Sequence, residues 1–286
     1  MKVLFLILNY KTYKETVQLT KSLYNQGLED NYILIVDNAS PNDSYKMLIK
    51  QLGGLRNIEV VASPENGGFA KGNNYGLRYA KKYNPKYVCI INNDVMFSMT
   101  TIDNLCRWYE QLPFVGFISP IQMLPNGKEA LFGNMGVPTI WMEILHYTPF
   151  RRAHRYVENT NIKGVQDIGI IPGAFTFTSY SRFEKLGFFD ESTFLFCEER
   201  FIAKKAQQAG LKNYIILNET YLHAHSLTIR NEASEKKQRR MIFEGRCLYY
   251  KKYSRSPLFC VLVLWIIYVL KELYFQISRN NFLGRK

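Results

Sequence analysis

The chain opens on an unbroken apolar run at residues 3–8 (VLFLIL), and three more follow at 32–36, 58–62 and 87–91. These runs are nearly continuous rather than alternating, which is the pattern of strands buried on both faces, as in a parallel sheet. Helical stretches lie between them. The first carries a capping pair, Thr12 and Glu15, and stops at Gly27. A second follows the Gly67-Gly68 turn and runs through Tyr83, just before Pro85, and a third covers about 101–111 and ends near Pro113. Strand alternating with helix predicts right-handed βαβ units in an open α/β sheet.

Beyond residue 125 the pattern loosens. Residues 131–163 mix aromatic, glycine, proline and basic positions without a period, which predicts irregular loops over a site. A helix is predicted near 181–186 and another at 198–208, closing at Gly210. Two short strands are expected at 214–217 and 221–225.

Composition is that of an ordinary globular protein, 47% hydrophobic and 21% charged over 286 residues. The five cysteines form no CxxC pair, and their odd number fits a reduced, cytosolic compartment. The apolar run at 3–8 is too short for a secretory signal. Charge changes the picture more. The net charge is +13, and residues 230–286 hold 13 Lys/Arg against 4 Asp/Glu. That tail also contains thirteen consecutive apolar residues, 258–270. As a helix they would reach about 20 Å, short of a hydrocarbon core of about 30 Å. Lys251, Lys252 and Arg255 precede the run, Arg279, Arg285 and Lys286 follow it, and Trp265, Tyr268 and Tyr274 suit a lipid–water boundary. An interfacial or re-entrant helix on an anionic membrane surface is expected; a helix packed on the domain is the alternative. Nucleic acid would explain the charge but not the apolar run, and no nucleic-acid motif is present.

In an open parallel sheet, ligands bind beyond the carboxyl ends of the strands. Three of the apolar runs end in polar groups: Asn9-Tyr10, Asp37-Asn38-Ala39-Ser40 and Asn92-Asn93-Asp94. Any one could be an ordinary turn, but all three fall on one edge. Asp37 can accept a hydrogen bond from a pyrimidine N–H, and Asp94 is a hard oxygen ligand for a divalent metal shared with substrate phosphates. The run from Glu65 to Gly76 combines glycines that allow close approach with Lys71, a candidate phosphate contact. No GxxxxGK[ST] run occurs, and no GxGxxG follows the first strand. The stretch Asn9-Tyr10-Lys11-Thr12 lacks the glycine- and basic-rich character that nucleotidyl transfer needs.

Asn9-Tyr10, Val36 through Ser40, Asn66 through Gly76 and Ile91 through Asp94 resemble the successive motifs of family 2 glycosyltransferases, with the rhamnosyltransferase-like enzymes of bacterial surface polysaccharides as the nearest branch. Gly173-Ala174, Gly187 through Glu191, Cys197-Glu198-Glu199, and His223 with Ser226 continue the pattern over residues 2–230. The resemblance implies a GT-A fold: a Rossmann-like, mostly parallel sheet flanked by helices. Residues 1–228 would be the transferase domain, divided into a nucleotide-binding half (1–125) and an acceptor and catalytic half (126–228), with 229–286 a membrane-associating tail. It also implies metal-dependent, inverting transfer from a UDP- or dTDP-sugar to a glycan or lipid-linked acceptor, on the inner face of the cell membrane. Asn9, Tyr10, Asp37, Asn38, Ser40, Asn66, Gly68, Lys71, Asn73, Asn92 and Asn93 would line the nucleotide-sugar site. Asp94 would close a degenerate DxD motif and bind Mg²⁺ or Mn²⁺, with His223 as second ligand. Glu198-Glu199 matches the family's Glu-Asp pair, whose second member is the general base. That makes Glu199 the expected base, one methylene longer than usual, with Glu198 as rival. The family's acidic residue two positions on is here Phe201. A catalytically degenerate binding subunit of a membrane complex is the competing reading. His223 and His225 alternate along a strand, so one of them faces the site. His146 and His154 receive no role.

Overall fold

The computed structural model describes residues 2–131, 136–146, 156–224 and 235–283. His154, His225 and Ser226 lie outside the described residues, as does the side chain of His146. Strands β1 (Val3–Asn9), β2 (Tyr32–Asp37), β3 (Ile58–Ala62) and β4 (Tyr87–Ile91) coincide with the four apolar runs, and β1 and β2 extend one residue further to include their polar ends. They pair in parallel in the order β3-β2-β1-β4. Helices α1 (Tyr13–Asn25), α2 (Ser44–Leu52) and α3 (Gly68–Ala80) make the crossovers, and a 3₁₀ turn at Lys81–Tyr83 completes the last one. The capping box does not form. Thr12 makes no side-chain cap, because its hydroxyl receives a hydrogen bond from Asn93 instead.

Beyond β4 the sheet becomes mixed. It continues through β8 (Phe175–Ser179), β6 (Val115–Met123), β9 (Lys212–His223) and β5 (Val95–Met96), while β7 (Val165–Ile168) also pairs with β9. Only β6 and β9 run parallel in this half. The two short strands expected at 214–217 and 221–225 are one strand, β9. A register shift opposite Pro120/Ile121 takes up the polar Asn218-Glu219 interruption that divided them in the sequence. Strand β6 carries Gly116 and Pro120, which hid it from the hydrophobic pattern.

The central strands are buried on both faces. Val3, Phe5 and Ile7 face helices α1, α2 and α4 (Met99–Gln111); Leu4 and Leu6 face α3, α6 (Tyr180–Lys185) and α7 (Glu198–Gln208). A third apolar cluster joins α7 to the C-terminal helices α8 (Glu235–Tyr253) and α9 (Pro257–Leu283) through Cys197, Phe201, Tyr249, Tyr250, Cys260 and Leu264. Phe201 is fully buried and meets the rings of Tyr249 and Tyr253. The residue that departs from the family pattern therefore belongs to the seat of α8. The short helix α5 (Ile140–His146) lies in the segment expected to be irregular.

Helix α9 corrects the expected length of the apolar tail segment. Lys271-Glu272 ends the apolar run but not the helix, and the stretch Pro257–Gln276 is 20 residues, long and apolar enough to cross a membrane by length and composition. At 1.5 Å per residue it reaches about 30 Å.

Gly68 fixes the entry to α3. Its φ is +80°, and a Cβ there would lie 1.9 Å from the carbonyl oxygen of Phe194, which accepts the N–H of Phe69 at 2.8 Å. Gly68→Ala should cost roughly 1–3 kcal/mol, combining strain at positive φ with displacement of the Phe194 backbone. Gly54→Ala, where a Cβ meets nothing within 4 Å, should be close to neutral. Thermal unfolding of both variants against the parent measures the difference, and equal midpoints would overturn this reading.

Candidate active site

The strand order 3-2-1-4 reverses between β1 and β4, so a crevice opens at their carboxyl ends. The polar groups that finish β1, β2 and β4 meet there in one hydrogen-bonded chain. Asn93 Nδ2 donates to Thr16 Oγ1 at 2.9 Å, and the Thr16 hydroxyl donates to Asn9 Oδ1 at 2.8 Å. Asn9 Nδ2 donates to Asp37 Oδ2 at 2.7 Å. The Ser40 N–H and hydroxyl also donate to Asp37, at 2.9 and 2.8 Å, and Ser40 Oγ accepts from the Lys11 N–H. Asn9 and Asp37 are buried, so each polar atom needs such a partner. Tyr10 is half-buried beside this chain, with the Lys11 ammonium 5.1 Å from its ring centre.

A second set of bonds ties β2 to the glycine-rich turn. Asn38 Nδ2 donates to Asn66 Oδ1 at 3.0 Å and to the Gly68 carbonyl at 3.1 Å, while Asn38 Oδ1 accepts from the Ser63 hydroxyl. Asn73 is buried and donates to the Phe69 carbonyl; no donor among the described residues reaches its Oδ1. Lys71, expected at a phosphate, forms a surface ion pair with Glu65.

Asp94 and His223 come together because β5 pairs with β9, opposing Val95 to His223, and the Ala224 N–H bonds the Asp94 carbonyl. His223 Nε2 lies 3.1 Å from Asp94 Oδ1. Both carboxylate oxygens of Asp94 are shielded, and no donor among the described residues hydrogen-bonds them. A shielded carboxylate without donors calls for a cation. The Gln122 amide sits 3.1 Å from His223 Nδ1 and orients the ring, and the Tyr221 hydroxyl donates to Gln122 in turn. One carboxylate and one imidazole fit a divalent ion that shares its other positions with a substrate diphosphate. No group of three His, Cys, Asp or Glu suited to a metal occurs among the described residues.

Glu198 and Glu199 open α7, where the helix dipole favours negative charge. Their environments differ. Glu198 is buried, and burial together with the neighbouring Glu199 pushes its carboxyl well above the usual carboxylate range. Glu199 is half-buried and raised by burial, opposed by its own backbone N–H and by Arg200. Its carboxylate lies over Gly173: a Cβ at Gly173 would come within 2.1 Å of Glu199 Oε1. The next residue, Ala174, accepts the Asn92 N–H at 3.0 Å. Gly173 thus brings the Glu199 carboxylate to the loop bonded to the end of β4. Glu198 lacks this opening.

Several residues that organise the site gave no signal in the sequence. Asn74 accepts the Phe189 N–H and donates to the Phe189 carbonyl and to Glu191, which anchors the 187–191 turn to α3. Thr16, one turn beyond the supposed cap, carries the polar chain from β4 to β1. Glu143 on α5 is buried between two guanidiniums: it pairs with Arg200, the residue after Glu199, and with Arg246 of α8 at 3.2 Å. Lys252, expected to face a membrane, pairs with Asp190 of the 187–191 turn.

Comparison with known proteins agrees with this geometry. A mannosyltransferase from Pyrobaculum calidifontis, solved with GDP-mannose and Mn²⁺, superposes with a TM-score of 0.62 at 16% identity, covering 93% of this chain and 69% of that one. Residues 1–349 of TarS from S. aureus, solved with UDP-GlcNAc, give 0.59 at 14% identity, covering 92% and 70%. These likenesses establish the GT-A fold. In sequence, the low-salt glycan biosynthesis hexosyltransferase of Haloferax volcanii is 24% identical over 217 residues, 72% of this chain and 62% of that protein. The minor teichoic acid biosynthesis protein GgaB of Bacillus subtilis is 28% identical over 93 residues, 32% of this chain and 10% of that protein. The chain thus spans less than two thirds of the length of either relative. Residues 5–185 match the glycosyl transferase family 2 pattern, and the chain belongs to that family.

Proposed function

We propose that this chain transfers a hexosyl or rhamnosyl group from a UDP- or dTDP-sugar to a glycan or lipid-linked acceptor, with inversion, in the synthesis of cell-surface polysaccharide. The observation that carries this reading is the donor-free Asp94 carboxylate beside His223, with Glu199 brought by Gly173 to the same strand end. Asp94 and His223 would hold Mg²⁺ or Mn²⁺, which when bound offsets the charge of a leaving diphosphate. Glu199 accepts the proton of the acceptor hydroxyl as that oxygen bonds the anomeric carbon. The bond from that carbon to the nucleoside diphosphate breaks on the opposite face. A carboxyl raised by burial is a better base near neutral pH than an exposed one. Asp37 is our candidate for a pyrimidine N–H. Its three internal hydrogen bonds fix its orientation, and of the roughly four acceptor positions of a carboxylate one remains. Phe201, the departure that favours a degenerate subunit, is accounted for by its packing beneath α8.

Membrane attachment through α9 belongs to the same proposal. Leu258, Leu262, Trp265, Leu270 and Tyr274 are exposed along it, and Trp141 and Leu145 are exposed on α5, which it contacts. An exposed apolar surface of this kind marks a lipid or protein contact.

Asp94→Asn should retain the fold and lose most transfer activity, and wild-type enzyme should lose activity in chelator and regain it with Mg²⁺ or Mn²⁺. Nucleoside diphosphate release from a panel of UDP- and dTDP-sugars measures both, and undiminished turnover in chelator would remove the metal from the proposal.

Glu199→Gln should lower turnover by about 10²–10⁴-fold with donor binding intact. Glu198→Gln should act chiefly on stability. Because the Glu198 carboxyl is raised in the folded state, its stabilising contribution is complete below the ordinary carboxylate range and is lost as pH rises through the folded value. The glutamine variant should therefore lose less stability than wild type over that rise. If Glu198→Gln alone abolishes turnover, the two roles are exchanged; if both variants turn over normally, neither is the base.

Removing residues 257–286 should abolish co-sedimentation with phosphatidylglycerol vesicles in high salt while sparing donor hydrolysis. A truncated protein that still sediments with them would show that α9 is not the attachment.

A further inference from the structure

Helices α8 and α9 enclose a cavity of about 120 Å³. A single water needs roughly 10–15 Å³ by the same kind of measure, so a polyatomic group fits. Arg239, Arg246 and Lys271 line it, with Tyr268 and the apolar side chains of Ile242 and Ile267, and no carboxylate lines it among the described residues. The two helices present these residues at matching intervals. Positions 239, 242 and 246 share one face of α8, and 264, 267 and 271 share the facing side of α9. The aromatic wall is ordered, with Phe243 stacked on Tyr268 at 4.6 Å.

Three cations between apolar helices are costly unless anions accompany them. The buried carboxylates beside them are Glu272, which takes Arg239 at 2.6 Å, and Glu143, which Arg246 shares with Arg200. Glu143 therefore brings one negative charge to two guanidiniums. An anion in the cavity would offset that excess. The outer face of α9 is apolar and exposed, and an anion reached from that side carries an apolar chain. We infer that the cavity between α8 and α9 binds the phosphate group of a membrane lipid, held by Arg239, Arg246 and Lys271 with the chain lying along α9. The Arg246–Glu143–Arg200 ion pairs lead from this cavity to the residue beside Glu199, so a phosphate here sits on the same rigid connection as the catalytic helix. The inference rests on the membrane-facing reading of α9.

The test uses the full chain in micelles of uncharged detergent, where general attraction to an anionic surface is removed. Dioleoyl phosphatidic acid is titrated in, and bound lipid is counted by native mass spectrometry. Wild type should retain one lipid per chain. So should Lys251→Gln, which removes an exposed charge of α8 outside the cavity. Lys271→Gln should weaken retention by about tenfold or more, the scale of one lost charge-assisted hydrogen bond, and Lys271→Arg should restore most of it. Ile267→Trp, which fills the cavity and changes no charge, should weaken retention as well. Equal retention by wild type and Ile267→Trp, or equal losses in Lys251→Gln and Lys271→Gln, would overturn the proposal. Displacement of the lipid by millimolar inorganic phosphate would assign the cavity to the free ion instead. Co-sedimentation with phosphatidylcholine vesicles tests the membrane-facing reading separately, because it depends on the apolar face that all these variants keep.

Discussion

Strands β1, β2 and β4 are apolar along their length and buried on both faces, so polar groups can enter this sheet only where those strands stop. Everything chemical follows from that constraint. The strand ends converge on one edge because the pairing is parallel, and the reversal between β1 and β4 opens that edge into a crevice. The buried Asp37 carboxylate then has to be satisfied from within. Asn9 and Ser40 do so, and Thr16 and Asn93 extend the chain to β4. A fully connected polar network of this kind is rigid, since losing one member strands a buried partner.

The first half of the fold was legible because each apolar run there equals one strand and each interruption is a turn or a helix. The same reasoning failed past residue 112 for identifiable reasons. Strand β6 contains a glycine and a proline, β9 takes up its polar interruption in a register shift, and antiparallel pairing leaves no continuous apolar signature. The strand-end residues were legible one by one, but their mutual bonding was not. Thr12 offered a capping box, and the tertiary contact with Asn93 prevailed over it. Glu143 was invisible, since a lone glutamate in an aperiodic stretch reads as a solvated charge. Nothing in the sequence shows that Arg200 and Arg246 close on it.

That carboxylate changes what the tail is. Residues beyond 228 read as an appendage with a basic surface, yet Arg239, Arg246 and Lys252 all turn inward to acidic partners. Helix α8 is stitched to α5 by an ion pair, to the 187–191 turn by another, and to α7 by aromatic packing around Phe201. Removing one member of a buried ion cluster leaves uncompensated charge, which costs more than the intact cluster contributes. The smallest self-sufficient unit therefore runs through Tyr253, and only α9 projects an apolar face outward.

Phe196 and Cys197, immediately before the two glutamates, both hold left-handed backbone, with φ of 72° and 73°. Two consecutive non-glycine residues there store on the order of 1–2 kcal/mol each. Helix α8 keeps them so: a Cβ at Gly245 would lie 3.1 Å from the Cys197 side chain, whose Sγ reaches the Ile242 carbonyl at 3.6 Å. The direction in which the catalytic helix begins is thus held in tension by a segment outside the stretch that defines the family. In an evolving lineage, drift in the tail would register as drift in turnover, and the two parts of the chain are constrained to change together.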